Sequence, residues 1–141
     1  MSLAQVIPKV LYSIVALVSL IMAVKSIFSA KFLPFHEQAA GRPLKDLESG
    51  LQNVVLALMK VSGLGFLVVA LFLLLFLVLN YRSEESFSQL AVPLIALIYC
   101  FGLFLVNFQL SAKTGSKTPW KGSLYAALLI LVAMIISIAR L

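Results

Sequence analysis

Four long apolar stretches, each closed at its ends by charge, set the pattern of this chain. A helix that crosses a bilayer needs about 20 mostly apolar residues. Val10 to Phe28 meets that need between Lys9 and Lys25, which lie about 24 Å apart along a helix. Val61 to Tyr81 follows between Lys60 and Arg82, and Leu90 to Leu110 is preceded by Glu84 and Glu85 and followed by Lys113. Gly122 to Ile138 closes the series between Lys121 and Arg140, about 28 Å apart. The pattern predicts an all-α, four-span transmembrane helix bundle in one domain, with spans at about 10–28, 61–81, 90–110 and 122–138. The first run is longer than the apolar core of a signal peptide and lacks a small-x-small cleavage site behind it, so it reads as a permanent span.

A different period precedes the second span. Leu44, Leu47, Leu51, Val54, Val55 and Leu58 recur at helical spacing, while Lys45, Asp46, Glu48, Ser49, Gln52 and Asn53 share the opposite face. This predicts an amphipathic lead-in to the second span, continuous or bent at Ser49-Gly50, with its apolar face covered by bundle or lipid. One helix from Leu44 to Tyr81 would be about 57 Å long, so a bend or a protrusion beyond the bilayer is required. Gly41-Arg42-Pro43 breaks the chain just before, with Pro43 placed for the first turn of the new helix.

Composition agrees with a lipid-embedded chain: 62% of residues are hydrophobic and 11% charged, with a mean hydropathy of +1.11. Soluble domains hold about 25% charged residues. The net charge of +6 would raise nucleic acid as a partner in a soluble protein. Here the cations sit in loops, and no nucleic acid is expected. Their distribution predicts orientation. Lys9, Arg82 and Arg140 lie on one side of an even-numbered bundle, against Lys25, Lys31, Arg42, Lys45, Lys60, Lys113, Lys117 and Lys121 on the other. The positive-inside bias then places residues 29–50 and 111–121 in the cytoplasm and both termini outside a cell membrane.

Chemistry is sparse. Between the boundary charges the spans carry no Asp, Glu, Lys, Arg or His, and ion or proton pathways usually need one. The small multidrug exporters, which carry a carboxylate in their first span, are disfavoured on that ground. One cysteine, Cys100, and one histidine leave no basis for a disulfide or a multi-His metal site, so no metal and no cofactor are expected. Ser13, Ser19, Ser62, Ser123 and Ser137 read as packing and back-bonding serines. Ser62, Gly63 and Gly65, and again Ser123, Ala126, Ala127 and Ala133, form small patches that let helices approach.

The one polar constellation is His36-Glu37-Gln38 with Arg42, in a loop whose Phe32, Leu33 and Phe35 surround Pro34. A histidine tuned by a carboxylate can act as a general base. Two arrangements remain open. As a lid, the loop would bring His36, Glu37 and Arg42 to Asn107 and Gln109 at the end of the third span, or to Trp120. As an interfacial anchor, it would leave them splayed into solvent, with Trp120 anchoring the last span at the membrane interface. These six residues are the candidate ligand-binding set; no catalytic residue is assigned.

The run FLPFHEQAAGRPLKDL at 32–47, the opening LALMKVSGLGFL at 56–67 and the loop TGSKTPW at 114–120 resemble uncharacterised small bacterial four-helix integral membrane proteins. That resemblance implies a four-helix bundle and carries no activity. Asp46-Leu47-Glu48 with Gln52-Asn53, and Tyr99 in the third span, look like elements of the membrane-associated eicosanoid and glutathione enzymes. Those enzymes also place arginines in the third span, and Leu90 to Leu110 has none. The functional expectation is a small multi-pass membrane protein without catalysis. It would serve as an accessory subunit or as a binder of lipid or another hydrophobic ligand, with the bilayer, a membrane-protein partner or a second copy as company. The alternatives are a membrane-embedded enzyme of the glutathione and eicosanoid type and an oligomeric small transporter.

Overall fold

The computed structural model describes residues 3–79 and 86–139. Among them, helix α1 spans Leu3–Ile27, the short α2 Pro34–Ala40, α3 Ser49–Leu79, α4 Ser86–Thr114 and α5 Trp120–Ile138, with a 3-10 turn at Leu44–Asp46. Four of these helices are long and apolar enough to cross a membrane, over Gln5–Ile27, Ser49–Leu79, Leu90–Thr114 and Trp120–Ile138. This is the character of a multi-pass membrane protein. The expected boundary charges Arg82, Glu84, Glu85 and Arg140, and the end of the second span at Tyr81, lie outside the described residues.

The long helices close a ring in which α1 packs on α3, α3 on α4, α4 on α5 and α5 back on α1. The α1–α3 interface is the most extensive of the four. Tyr12, Val15, Ala16, Leu73, Ile130 and Ala133 fill the centre at 1% exposure or less. Alanines among them keep the helix axes close, the usual way helices associate where lipid is as apolar as the interface. Outside, Leu17, Leu71, Leu75, Ile98, Val106 and Ile135 are exposed, as lipid-facing positions must be. Among the described residues, the buried polar ones are all hydroxyl-bearing: Ser19, Ser26, Ser116 and Thr118.

Polar side chains in the spans mostly bond their own helix. Ser13 donates to the Lys9 carbonyl at 2.8 Å and Ser137 to Ala133 at 2.9 Å. Two tyrosines differ. Tyr99 stands edge-on to Phe66 and donates to the Ser62 carbonyl of α3 at 3.1 Å. Tyr12 stands edge-on to Phe76, and its buried hydroxyl lies near Ser137 without the geometry of a hydrogen bond. A buried hydroxyl without a partner costs stability, whereas a made bond contributes about 0.5–1.5 kcal/mol. Tyr12→Phe should therefore raise resistance to unfolding in mixed micelles, and Tyr99→Phe should lower it by about 1 kcal/mol. Loss of stability in Tyr12→Phe would mean that the hydroxyl finds a partner.

The lead-in to α3 differs from the simple amphipathic helix expected. Pro43 is extended and precedes the 3-10 turn, Leu47 is extended again (φ −85, ψ 155), and the long helix starts only at Ser49. The break thus falls before Ser49-Gly50. Gln52 supplies the reason: its side-chain amide donates to the Leu47 carbonyl at 2.7 Å and the Lys45 carbonyl at 3.3 Å. Those carbonyls would otherwise have called for amide donors from a continuing helix. At 31 residues α3 is about 46 Å long, well beyond a hydrocarbon core of about 30 Å. Its first turns carry a second, smaller core. Phe32, Leu44 and Met59 are buried there, with Leu33, Leu47, Val55 and Leu56 against them. Loop one therefore covers one side of the lead-in itself. Leu51, Val54 and Leu58 stay exposed on the other side, which neither loop nor bundle covers.

Candidate functional site

Loop one is built by two residues that suit their positions. Pro34 opens α2, where its missing N–H costs nothing, and Gly41 ends it in the left-handed conformation at φ 69, its N–H returning to the Glu37 carbonyl. This single pair of turns decides where the histidine sits. The His36 ring lies 4.0 Å from that of Phe35 and 6.0 Å from that of Phe32, half-buried, with Nδ1 buried and without a hydrogen-bond partner. Protonation would place an N–H on Nδ1 with nothing to receive it, and burial holds the imidazole pKa below its ordinary value. His36 is therefore kept neutral.

The sign of the pH dependence follows. A base whose folded pKa is depressed stabilises the fold above its unfolded value, about 6.5, and that contribution is lost as pH falls through the folded value. Exchange protection of the α2 amides, corrected for intrinsic rate, should fall when pH drops from about 7.5 to about 5. His36→Phe should abolish the difference; its persistence would assign the effect to another group.

The remaining candidates differ in burial and partners. Glu37 and Arg42 are exposed, as is Gln109. Asn107 is half-buried, and its amide donates to the Leu103 carbonyl of its own helix at 3.0 Å. Trp120 lies against Phe108 at 5.7 Å and Phe104 at 6.2 Å. Helix α2 does pack on α4. Yet among the described residues no hydrogen bond or ring contact joins His36, Glu37 or Arg42 to Asn107, Gln109 or Trp120. What is brought together is one cluster per loop: His36 with two phenylalanines, and Trp120 with two others.

Loop three is the more tightly knit of the two. Gly115 ends α4 at φ 69, with its N–H on the Ser111 carbonyl at 2.8 Å. The Ser111 hydroxyl donates to the Ser116 carbonyl at 2.8 Å, and the hydroxyls of Thr114 and Ser116 meet at 2.7 Å. The Thr118 hydroxyl reaches back to the Asn107 carbonyl at 2.7 Å, which folds the loop onto α4 and sets Trp120 beside the phenylalanines. Asn107 thus takes part through its backbone, a role that no side-chain pattern announces. The helical spacing of Phe101, Phe104 and Phe108 was the available signal for the aromatic shelf.

A shallow, open depression among the described residues lies elsewhere again. A groove of about 320 Å³ runs along the outer side of α1, lined by Val6, Val10, Ser13, Ile14 and Leu17, with Lys9 in its wall. No protein-family model, curated protein or solved structure matches this chain.

Proposed function

We propose that this is a non-enzymatic membrane protein, an accessory subunit or a binder of lipid or another hydrophobic ligand. In this reading it resides in the cell membrane with both termini outside and residues 29–50 and 111–121 in the cytoplasm. The observation that carries the reading is the placing of space and polarity. The bundle centre is filled by Tyr12, Leu73 and Ile130, whereas the groove opens on the apolar outside of α1. A protein built this way meets its ligands or partners on its lipid-facing surface.

One feature favours the enzyme as a second reading: burial biases the His36 imidazole toward its neutral form, as a general base needs. Against it, Glu37 and Arg42 are exposed, and neither is hydrogen-bonded to Nδ1 of that ring. Purification of the full chain from its own membrane in a mild detergent, followed by native mass spectrometry, tests the proposal. Bound phospholipid or a stoichiometric membrane-protein partner is expected. A bare chain that turns over a thiol or lipid-soluble substrate, and loses this in His36→Ala, would replace the proposal with the enzyme. Orientation is read separately by an impermeant thiol reagent on Lys117→Cys, an exposed loop-three position. Labelling is expected only after lysis, and labelling of intact cells would reverse the topology.

A further inference from the structure

We infer that loop three and the adjoining face of α4 form a binding site for the headgroup of an anionic phospholipid. The site rests on the lipid-binding arm of the reading above and gives it a place and a ligand class. Its first component is charge. Lys113, Lys117 and Lys121 all project outward, and residues 86–139 contain no Asp or Glu at all. Loop one and its helix starts are different, because Glu37, Asp46 and Glu48 accompany their cations. Loop three thus carries three cations with no acid among them, while loop one and its helix starts mix five cations with three acids, and a phosphodiester is the natural complement of the unmixed set.

The second component is the shelf beneath the charge. Phe101, Phe104 and Phe108 follow one another along α4 with ring centroids 5.7 and 5.8 Å apart, and Trp120 closes the row 5.7 Å from Phe108. Phe101 and Phe108 are about half exposed. Amphipathic Trp120 suits the glycerol level of a lipid, and the apolar phenylalanines run from it along α4 beside the acyl chain. The Lys121 ammonium lies 5.6 Å from the centre of the Trp120 ring, so charge and shelf belong to one surface.

The third component is rigidity. Buried Ser116 and Thr118 turn their hydroxyls inward to Thr114 and the Asn107 carbonyl, which leaves Lys117 between them pointing out. The lysines are presented by a loop already tied down, so binding orders little backbone. A helix of another protein would also suit the apolar shelf, but it would need acidic residues to meet three lysines. The lipid headgroup supplies that charge at the right depth by itself.

Trp120 is the only tryptophan in the chain, which makes the site its own reporter. The full-length protein is reconstituted in phosphatidylcholine vesicles that contain a small, equal fraction of either brominated phosphatidylglycerol or brominated phosphatidylcholine. Quenching of Trp120 should favour the anionic lipid by at least about fivefold in relative affinity. That preference should shrink with salt and vanish in Lys113→Gln/Lys117→Gln/Lys121→Gln. It should survive in Lys31→Gln/Lys45→Gln/Lys60→Gln, which removes the same charge from the other loop and controls for folding. Equal quenching by the two lipids in the unaltered protein, or a preference that persists in the loop-three variant, would overturn the site. Both outcomes leave lipid binding in the α1 groove intact. Displacement by inorganic phosphate, beyond that by chloride at equal ionic strength, would identify free phosphate as the ligand instead. Absence of quenching by either lipid would put protein over the shelf and also overturn the assignment.

Discussion

Gly63→Leu is expected to prevent α1 and α3 from closing, and Gly63→Ala to cost about 1–3 kcal/mol. A Cβ at Gly63 would lie 2.7 Å from Ile27 Cγ1, 3.0 Å from the Ile27 backbone nitrogen and 3.0 Å from Ser26 Cβ. The isoleucine side chain can rotate away, but a backbone nitrogen and a Cβ move only with α1 itself. This is the widest interface of the bundle. Gly65→Ala should be milder, because its Cβ would meet the far end of the Tyr99 ring, with the hydroxyl at 2.5 Å. That ring can swing, at the loss of its bond to Ser62. At Gly102 an added Cβ meets nothing within 4 Å, so Gly102→Ala should be neutral or gain up to about 1 kcal/mol of helix propensity. Unfolding midpoints in dodecyl maltoside and SDS mixtures, followed by circular dichroism, rank the three. Equal stability of Gly63→Ala and Gly102→Ala would show that the α1–α3 approach is not close.

Leu73→Ala should cost about 2–4 kcal/mol in the same assay, while Leu75→Ala should cost almost nothing. Leu73 has 0% exposure within the main core, whereas Leu75 is 55% exposed on the outer face of the same helix. In water both truncations would forfeit hydrophobic transfer energy. Between helices in lipid that term largely cancels, because acyl chains solvate leucine as well as a protein interior does. What remains for Leu73 is the cavity and its missing dispersion contacts, which is why the estimate stays below the top of the range seen in soluble cores. Ile130→Ala, on α5 and also at 0%, should behave like Leu73→Ala. Comparable losses at Leu73 and Leu75 would mean that bulk apolarity, and not packing, holds the bundle together.

The four apolar helices and the need for α3 to outrun the bilayer were legible in the sequence, because each depends on the chain's own composition over about 20 residues. Gly41 was legible as a break in the chain, but not as the end of a helix at Pro34–Ala40; it and Gly115 both stop a helix at φ 69, a conformation that glycine adopts without steric cost. Even the small patch at 62–65 was visible as a place of close approach. Its division was not visible, with Gly63 against α1 and Gly65 against α4. The direction in which a glycine faces is set by neighbouring helices far away in sequence. The same limit applies to the candidate site. His36, Glu37 and Arg42 are adjacent in sequence, but the turn from Pro34 to Gly41 folds the imidazole among phenylalanines and leaves the two charges outside. Gln52 stops the lead-in helix with an amide that reaches back five and seven residues, and Tyr99 finds a carbonyl 37 residues away. Periodicity records which face of a segment is apolar. Only the packed structure decides what that face meets, because each such contact depends on two segments whose separation is fixed by the rest of the fold.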